Sequence, residues 1–221
     1  MGLMSVLSFA QKIVVERLRP GEVAIDATIG NGVDTLFLAR TVGTHGTVYG
    51  FDIQAEALLR TNQRLTEHRA DDLCTDVRLV HAGHEQMKLH VEDVHHGKVT
   101  AVMFNLGYLP AGEQQQIITK AETTLPALES ALSLLRTGGV VCIVLYPGHK
   151  GGLQEAEQVE TWACALSSLE YDVLSYRMLN RRALPPYLIV IDKKRACLPD
   201  CLPTTGRNES GMAPEAFYSA D

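Results

Sequence analysis

The sequence predicts an α/β fold: a Rossmann-like, mostly parallel seven-stranded sheet with an antiparallel final strand pair. Three observations predict it. Short apolar runs alternate with stretches of helical periodicity, the pattern of βαβ units. The first run, Val23-Ala24-Ile25, ends at Asp26 and passes through a glycine turn, Gly30-Asn31-Gly32, into a helical pattern. The last two runs are joined by a connection too short for a crossover helix, so that pair should be antiparallel.

The elements follow in order. Residues 5–19 read as a helix carrying Val6, Phe9, Ile13, Val14 and Leu18, stopped by Arg19-Pro20-Gly21. After the first strand and its turn, a helix should run to about Arg40. Val48-Tyr49-Gly50-Phe51 is the second strand and closes at Asp52. Residues 54–67 read as a helix with Ala55, Leu58, Leu59 and Leu65 at near-helical spacing. Asp71-Asp72 marks a loop, and Val77 to His81 reads as the third strand. Val99 to Phe104 is the fourth, ending in Asn105-Leu106-Gly107-Tyr108. A long helix follows, with Ala121, Leu125, Leu128, Leu132 and Leu135 on one face. Pro126 is expected to kink or split it, and Gly138-Gly139 to end it. Val140 to Tyr146 is the fifth strand. A helix with Val159, Trp162, Ala163, Leu166 and Leu169 precedes the final pair, Asp172 to Met178 and Tyr187 to Asp192. Such an ending separates the sheet of class I S-adenosylmethionine (SAM) methyltransferases from a plain dinucleotide-binding fold.

The 221 residues suffice for one α/β domain with a full core, placed at residues 1–195; the Pro-, Gly- and Ser-rich residues 196–221 read as a flexible tail. No apolar stretch approaches the roughly 20 residues that span a bilayer. The five cysteines, Cys74, Cys142, Cys164, Cys197 and Cys201, show no metal-type pairing, so no metal is expected; their odd number fits a reducing cytosol. A net charge of −6 argues against wholesale non-specific nucleic-acid binding. A local basic cluster, Arg177, Arg181, Arg182, Lys193, Lys194 and Arg195, reads equally as an RNA contact or a solvated edge.

Candidate site residues fall at strand ends. Gly30 and Gly32 let backbone approach a ligand, and Thr35 stands where the dinucleotide fingerprint has its third glycine. Asn31 and Asp34 are expected at the mouth of the turn, where a carboxylate repels a pyrophosphate but tolerates an ammonium or sulfonium. This favours SAM over NAD, and Asp26, also near a strand end, is a further candidate for the cofactor site. Asp52 can accept ribose hydroxyls or cap the next helix, and Gln54 follows it. His84, after the third strand, either lies at an adenine edge or is merely solvated. Asn105 can accept a hydrogen bond from an amine, and Tyr108 can stack on a base unless it is core. His149 and Lys150, after the fifth strand, are a base or phosphate contacts, or else a polar loop.

Together Asp26-Ala27-Thr28-x-Gly30-Asn31-Gly32-x-Asp34-Thr35, Gly50-Phe51-Asp52-Ile53-Gln54, Phe104-Asn105-Leu106-Gly107-Tyr108-Leu109-Pro110 and Tyr146-x-Gly148-His149 resemble the "putative rRNA methylase" family over residues 5–194. The resemblance implies a cytoplasmic SAM-dependent enzyme that converts 5-aminomethyl-2-thiouridine to 5-methylaminomethyl-2-thiouridine at the tRNA wobble position. It implies that Asn31, Asp52 and Gln54 hold SAM, with His84 nearby, and that Asn105, Tyr108 and His149 face the substrate. A homodimer is a candidate assembly, because a small acidic monomer offers a tRNA little basic surface. The competing expectations are methylation of another amine, an NAD-type oxidoreductase and a non-catalytic tRNA-binding module.

Overall fold

A computed structural model describes residues 2–68, 75–107, 118–149, 151–181 and 183–194. Tyr108, Lys150, Arg182 and Arg195, the Asp71-Asp72 loop, three of the cysteines (Cys74, Cys197 and Cys201) and the tail 196–221 lie outside the described residues.

Seven strands form one sheet: β1 (Val23–Asp26), β2 (Thr47–Asp52), β3 (Asp76–His81), β4 (Val99–Asn105), β5 (Leu135–Leu145), β6 (Tyr171–Tyr176) and β7 (Tyr187–Lys193). Their order is β3-β2-β1-β4-β5-β7-β6. β1 to β5 pair in parallel, and β7 runs antiparallel to both β5 and β6. The reversal of strand order between β1 and β4 opens a crevice at their carboxyl ends, where open α/β sheets bind ligands.

Side chains that alternate along each strand build two cores. Ile25, Phe51, Phe104, Ile143 and Ile191 pack with α5 (Ala121–Leu134) and α6 (Gly152–Cys164) on one face. Ala24, Val48, Met103, Val144 and Val190 pack with α1 (Val6–Arg17) and α2 (Val33–Val42) on the other. Ser5 caps α1, its hydroxyl accepting the Ser8 N–H at 3.1 Å.

Several boundaries differ from expectation. Pro126 does not split α5, which runs as one helix from Ala121 to Leu134. Pro126 is the sixth residue of the helix, so it removes the bond that an N–H there would make to the Glu122 carbonyl, and packing holds the helix across that gap. The helix ends at Leu134, not at the glycine pair, and β5 begins at once with Leu135. Gly138 and Gly139 instead form an irregularity inside β5, between the pairings Val99 with Leu135 and Ala101 with Val140. Gly138 has φ 74°, and a Cβ on Gly139 would stand 2.9 Å from the Thr100 carbonyl oxygen. α6 stops at Cys164, which leaves Leu166 and the exposed Leu169 beyond it. On α3 (Ala55–Glu67) Leu59 faces outward, and Ala57 and Thr61 make the buried contact. Four residues per two turns cannot distinguish a helix face that meets a neighbouring helix from one that meets water. Residues 82–98, unassigned from sequence, hold a 3-10 turn at His84–Gln86, α4 (Met87–His90) and a second turn at Asp93–His95.

Candidate active site

A cleft of about 170 Å³ opens over the carboxyl ends of β1, β2 and β4. Its wall includes Gly30, Asp52, Gln54, His84, Asn105 and Thr119. The glycine turn that floors it is held by its neighbours. Gly30, at φ 53°, donates its N–H to Asp52 Oδ2 at 3.0 Å, and Gln54 N–H donates to Asp52 Oδ1 at 2.9 Å. Asp52 therefore spans both readings of it, tying the turn to the start of α3 while lining the cleft. A carboxylate offers about four lone-pair sites, so two backbone bonds leave capacity for hydroxyls. Burial raises its pKa above the usual carboxylate value, and the N–H groups of Gln54, Gly30 and Ile53 oppose that rise.

Asp26, Asn31, Gly32 and Asp34 are not part of the cleft wall. Asp26 is fully buried beneath the turn. It accepts the Thr35 hydroxyl at 2.5 Å and the Thr28 N–H at 3.1 Å. Burial first, and Asp34 second, push its pKa up to about 7. Thr35, at the position of a third fingerprint glycine, thus supplies the hydroxyl that satisfies Asp26. Asp34 is turned toward α1, where Gln11 Nε2 donates to it at 3.0 Å, so the carboxylate expected at the mouth is occupied beside a helix. The charge argument for SAM that relied on Asp34 has no counterpart in this geometry. Asn31 is clasped by α3: Arg64 Nε donates to its carbonyl oxygen at 2.6 Å and Arg60 Nη1 to Oδ1 at 3.1 Å. Gly32 (φ 72°) sits against the same helix, and a Cβ there would stand 2.9 Å from the Thr61 Cα.

His84 is buried rather than solvated. It bonds the Ala27 carbonyl, and its ring tilts against Phe104 at 5.8 Å between centroids. Burial lowers its pKa and so favours the neutral ring, with the Glu85 charge and the Ala27 bond opposing. Glu85 beside it also lines the cleft.

The β4 end carries a different arrangement. Asn105 donates its backbone N–H to Thr28 Oγ1 at 2.7 Å, which fixes it to the β1 turn. Its Oδ1 is buried and has no hydrogen-bond partner among the described residues. Tyr146 and His149 flank Gly107: a Cβ there would meet the Tyr146 ring at 3.7 Å and His149 Nε2 at 3.8 Å. Both distances are ordinary van der Waals contacts, so Tyr146 and His149 pack against the Asn105 segment without requiring a glycine there. Burial raises the Tyr146 phenol, Asp34 adds to the rise, and a side-chain bond with Asn105 opposes it.

Thr28, Glu85, Thr119 and Tyr146 escaped sequence reasoning. Thr28 and Tyr146 stand within the quoted motifs and Glu85 next to His84, so strand-end position alone could have found them; Thr119 follows a segment with no periodic signal. The late basic cluster is largely engaged elsewhere. Arg177 pairs with Glu160 and lies over the Tyr187 ring, Lys193 Nζ donates to the carbonyls of Leu132 and Leu135, and Lys194 pairs with Asp172. Arg181 is exposed on the β6–β7 connection.

Comparison with known proteins places this geometry among relatives. A family model described as "Putative rRNA methylase" matches residues 48–192. A solved structure described as a "putative rRNA-methylase" from Clostridium thermocellum is 37% identical, with a TM-score of 0.80, over 87% of this chain and all (100%) of that one. A "putative methyltransferase" from Streptococcus mutans, solved in complex with SAH, is 32% identical with a TM-score of 0.75, over 87% of this chain and 99% of that one. The "tRNA (mnm(5)s(2)U34)-methyltransferase, chloroplastic" of Arabidopsis thaliana is 37% identical over 182 residues, 80% of this chain. The match spans 65% of that relative's length. The sheet is that of the class I SAM methyltransferases, as expected.

Proposed function

The chain belongs to the "Putative rRNA methylase" family, and from that premise we propose that it is a SAM-dependent tRNA N-methyltransferase. Its substrate is 5-aminomethyl-2-thiouridine at the wobble position, and its product is 5-methylaminomethyl-2-thiouridine. The family description speaks of rRNA, whereas the plant relative is named for a tRNA wobble uridine. The latter supplies the substrate assignment.

The observation that carries the reading is the Asn105 side chain. A buried acceptor without a donor costs about 1–3 kcal/mol, so Oδ1 is a place for a ligand's N–H. A primary amine provides that donor. The residues also fit SAM: Asp52 and Gln54 stand at the end of β2 where a ribose is held, Gly30 brings backbone to the cleft, and His84 lies after β3. Asp26, Asn31, Gly32 and Asp34 shape and brace this cradle from outside the wall. SAM, when bound, supplies a methyl group on a positively charged sulfur.

The rest of the work falls to the chain. An alkylamine resembles lysine, with an unperturbed pKa of about 10.4, and arrives mainly protonated. It must lose a proton before it can attack. Asn105 Oδ1 accepts one amine N–H and so points the nitrogen lone pair into the cleft, and this positioning supplies much of the acceleration. Tyr108 and His149 are assigned to the substrate as well, on the strength of the motifs that carry them. Residues 1–195 form the catalytic unit. A cytoplasmic location and a homodimer complete the proposal, the latter supported by the exposed apolar side chains Val173 and Leu174 on the edge strand β6. Among the described residues no helix is long and apolar enough to cross a membrane.

The test is methyl transfer from labelled SAM to tRNA carrying 5-aminomethyl-2-thiouridine, with mass analysis of the nucleosides. A methylated wobble nucleoside is expected. SAM binding without transfer would redirect the assignment to another amine, and retention of NAD but not SAM would overturn it.

A further inference from the structure

Behind the substrate side of the cleft lies a buried carboxylate that the reading above does not use. Glu155, in the first turn of α6, is only 4% exposed. Its Oε2 accepts the hydroxyl of Thr119 at 2.8 Å, and its Oε1 accepts the hydroxyl of Thr124 at 2.7 Å. Among the described residues no arginine or lysine pairs with it. A carboxylate removed from water is costly unless paired. Its partners among the described residues are two neutral hydroxyls, which satisfy lone pairs and bring no positive charge.

Thr119 connects that charge to the cleft. It lines the wall together with Asn105 and Gly107, and its N–H donates to the Gly107 carbonyl at 2.9 Å. Its hydroxyl proton is directed at Glu155, so the remaining lone pair on Oγ1 can accept a proton from a cation in the cleft. Asn105 has no acidic hydrogen to exchange and can only hold the amine. The chain therefore presents an acceptor that orients and, next to it, a hydroxyl backed by a base.

We propose that Thr119 and Glu155 form the path by which the substrate ammonium is deprotonated, Thr119 touching the amine and Glu155 acting through it as a positioning residue. This rests on the amine-methylation reading. The ammonium gives a proton to Thr119 Oγ1 as the threonine's own proton passes to Glu155 Oε2, which leaves a neutral amine, an intact hydroxyl and a carboxylic acid. The amine lone pair then forms the new C–N bond, and the methyl–sulfur bond breaks with its electrons staying on sulfur. The product leaves as a secondary ammonium, and Glu155 returns its proton to solvent. Other titratable groups on the surrounding elements are His149 before α6, Glu157 and Glu160 further along it, and Lys120, Glu122 and Glu129 at and along α5.

The test compares wild type, Glu155→Gln, Thr119→Val and Thr119→Ser in methyl transfer to the aminomethylated tRNA from pH 6.5 to 9.5. At pH 7 Glu155→Gln and Thr119→Val should each lower kcat/KM about 100-fold, the scale of general acid–base catalysis. Both deficits should shrink as pH rises, because the free amine then forms without help; Thr119→Ser should stay near wild type. A second readout needs no turnover. In the presence of SAH, Glu155→Gln should reduce the preference for an aminomethylated anticodon stem-loop over the unmodified one, because the buried negative charge that favours the ammonium is gone. A deficit constant across pH, or a full rate in Glu155→Gln, would overturn the proton path. A wild-type enzyme that binds SAM but transfers no methyl group would instead overturn the underlying assignment, so the two failures are distinct.

Discussion

At the carboxyl ends of β1 and β2, the carboxylates of Asp26, Asp34 and Asp52 all accept hydrogen bonds from the chain itself. At the end of β4, the Asn105 side-chain oxygen accepts none from the described residues. The first region is braced before any ligand arrives: Thr35, Gln11, Arg60 and Arg64 fix the turn, while Asp52 keeps lone pairs for hydroxyls. The second keeps capacity in reserve. The difference teaches that a cradle for a ligand of fixed shape is built by satisfying polar groups, whereas a site for a reacting group keeps one unsatisfied.

The comparison breaks if Asn105 behaves like a brace. Asn105→Ala should lower methyl transfer about 100-fold, the scale of losing one preorganised polar contact to a reacting centre. Its affinity for SAM, measured by calorimetry, should not change. A parallel fall in SAM affinity would place Asn105 with the first region.

Gly32→Ala tests the braced turn. The left-handed backbone at φ 72° and the contact with Thr61 together predict a loss of about 3 kcal/mol in unfolding free energy. Thermal and urea unfolding would read it.

Asp26 sharpens the same point through pH. Its folded pKa, raised to about 7, lies above the ordinary value of 3.8. The native state therefore holds a proton that the unfolded chain has released, and stability falls as pH rises between those values. Asp26→Asn should remove that slope, with a relative gain on the order of 2 kcal/mol between pH 5 and 8. Urea midpoints at the two pH values would show it; equal slopes would mean that Asp26 is ionised in the fold.

Asp52→Ala should weaken SAM binding about tenfold, through the lost hydroxyl contacts and a loosened Gly30. Affinity for tRNA should hold, which is the converse of the Asn105 result.

Much of this was legible in the chain. Apart from the start of β5, five residues earlier than expected, strand ends were placed within a residue or two because alternating burial and glycine punctuation are local signals. That brought Asp52, Gln54 and Asn105 to the correct end of the sheet. The direction of Asp34 was not legible, because its position on the first turn of α2 allows either the cleft or α1, and only the docking of Gln11 decides. Gly138-Gly139 was misread as a helix stop because a glycine pair marks a strand irregularity equally well. The same limit hid Glu155, which lies 36 residues from Thr119 and whose helical position looks like any solvated acid.

By itself, then, the sequence determined the order of elements, the reversed last strand and the strand ends that face the cleft. Each follows from the periodicity and turn chemistry of neighbouring residues. The tertiary structure alone decided which polar atoms are already bonded and which remain for a substrate. A hydrogen bond's partner is set by distance in space, and here the partners come from segments far apart in the chain.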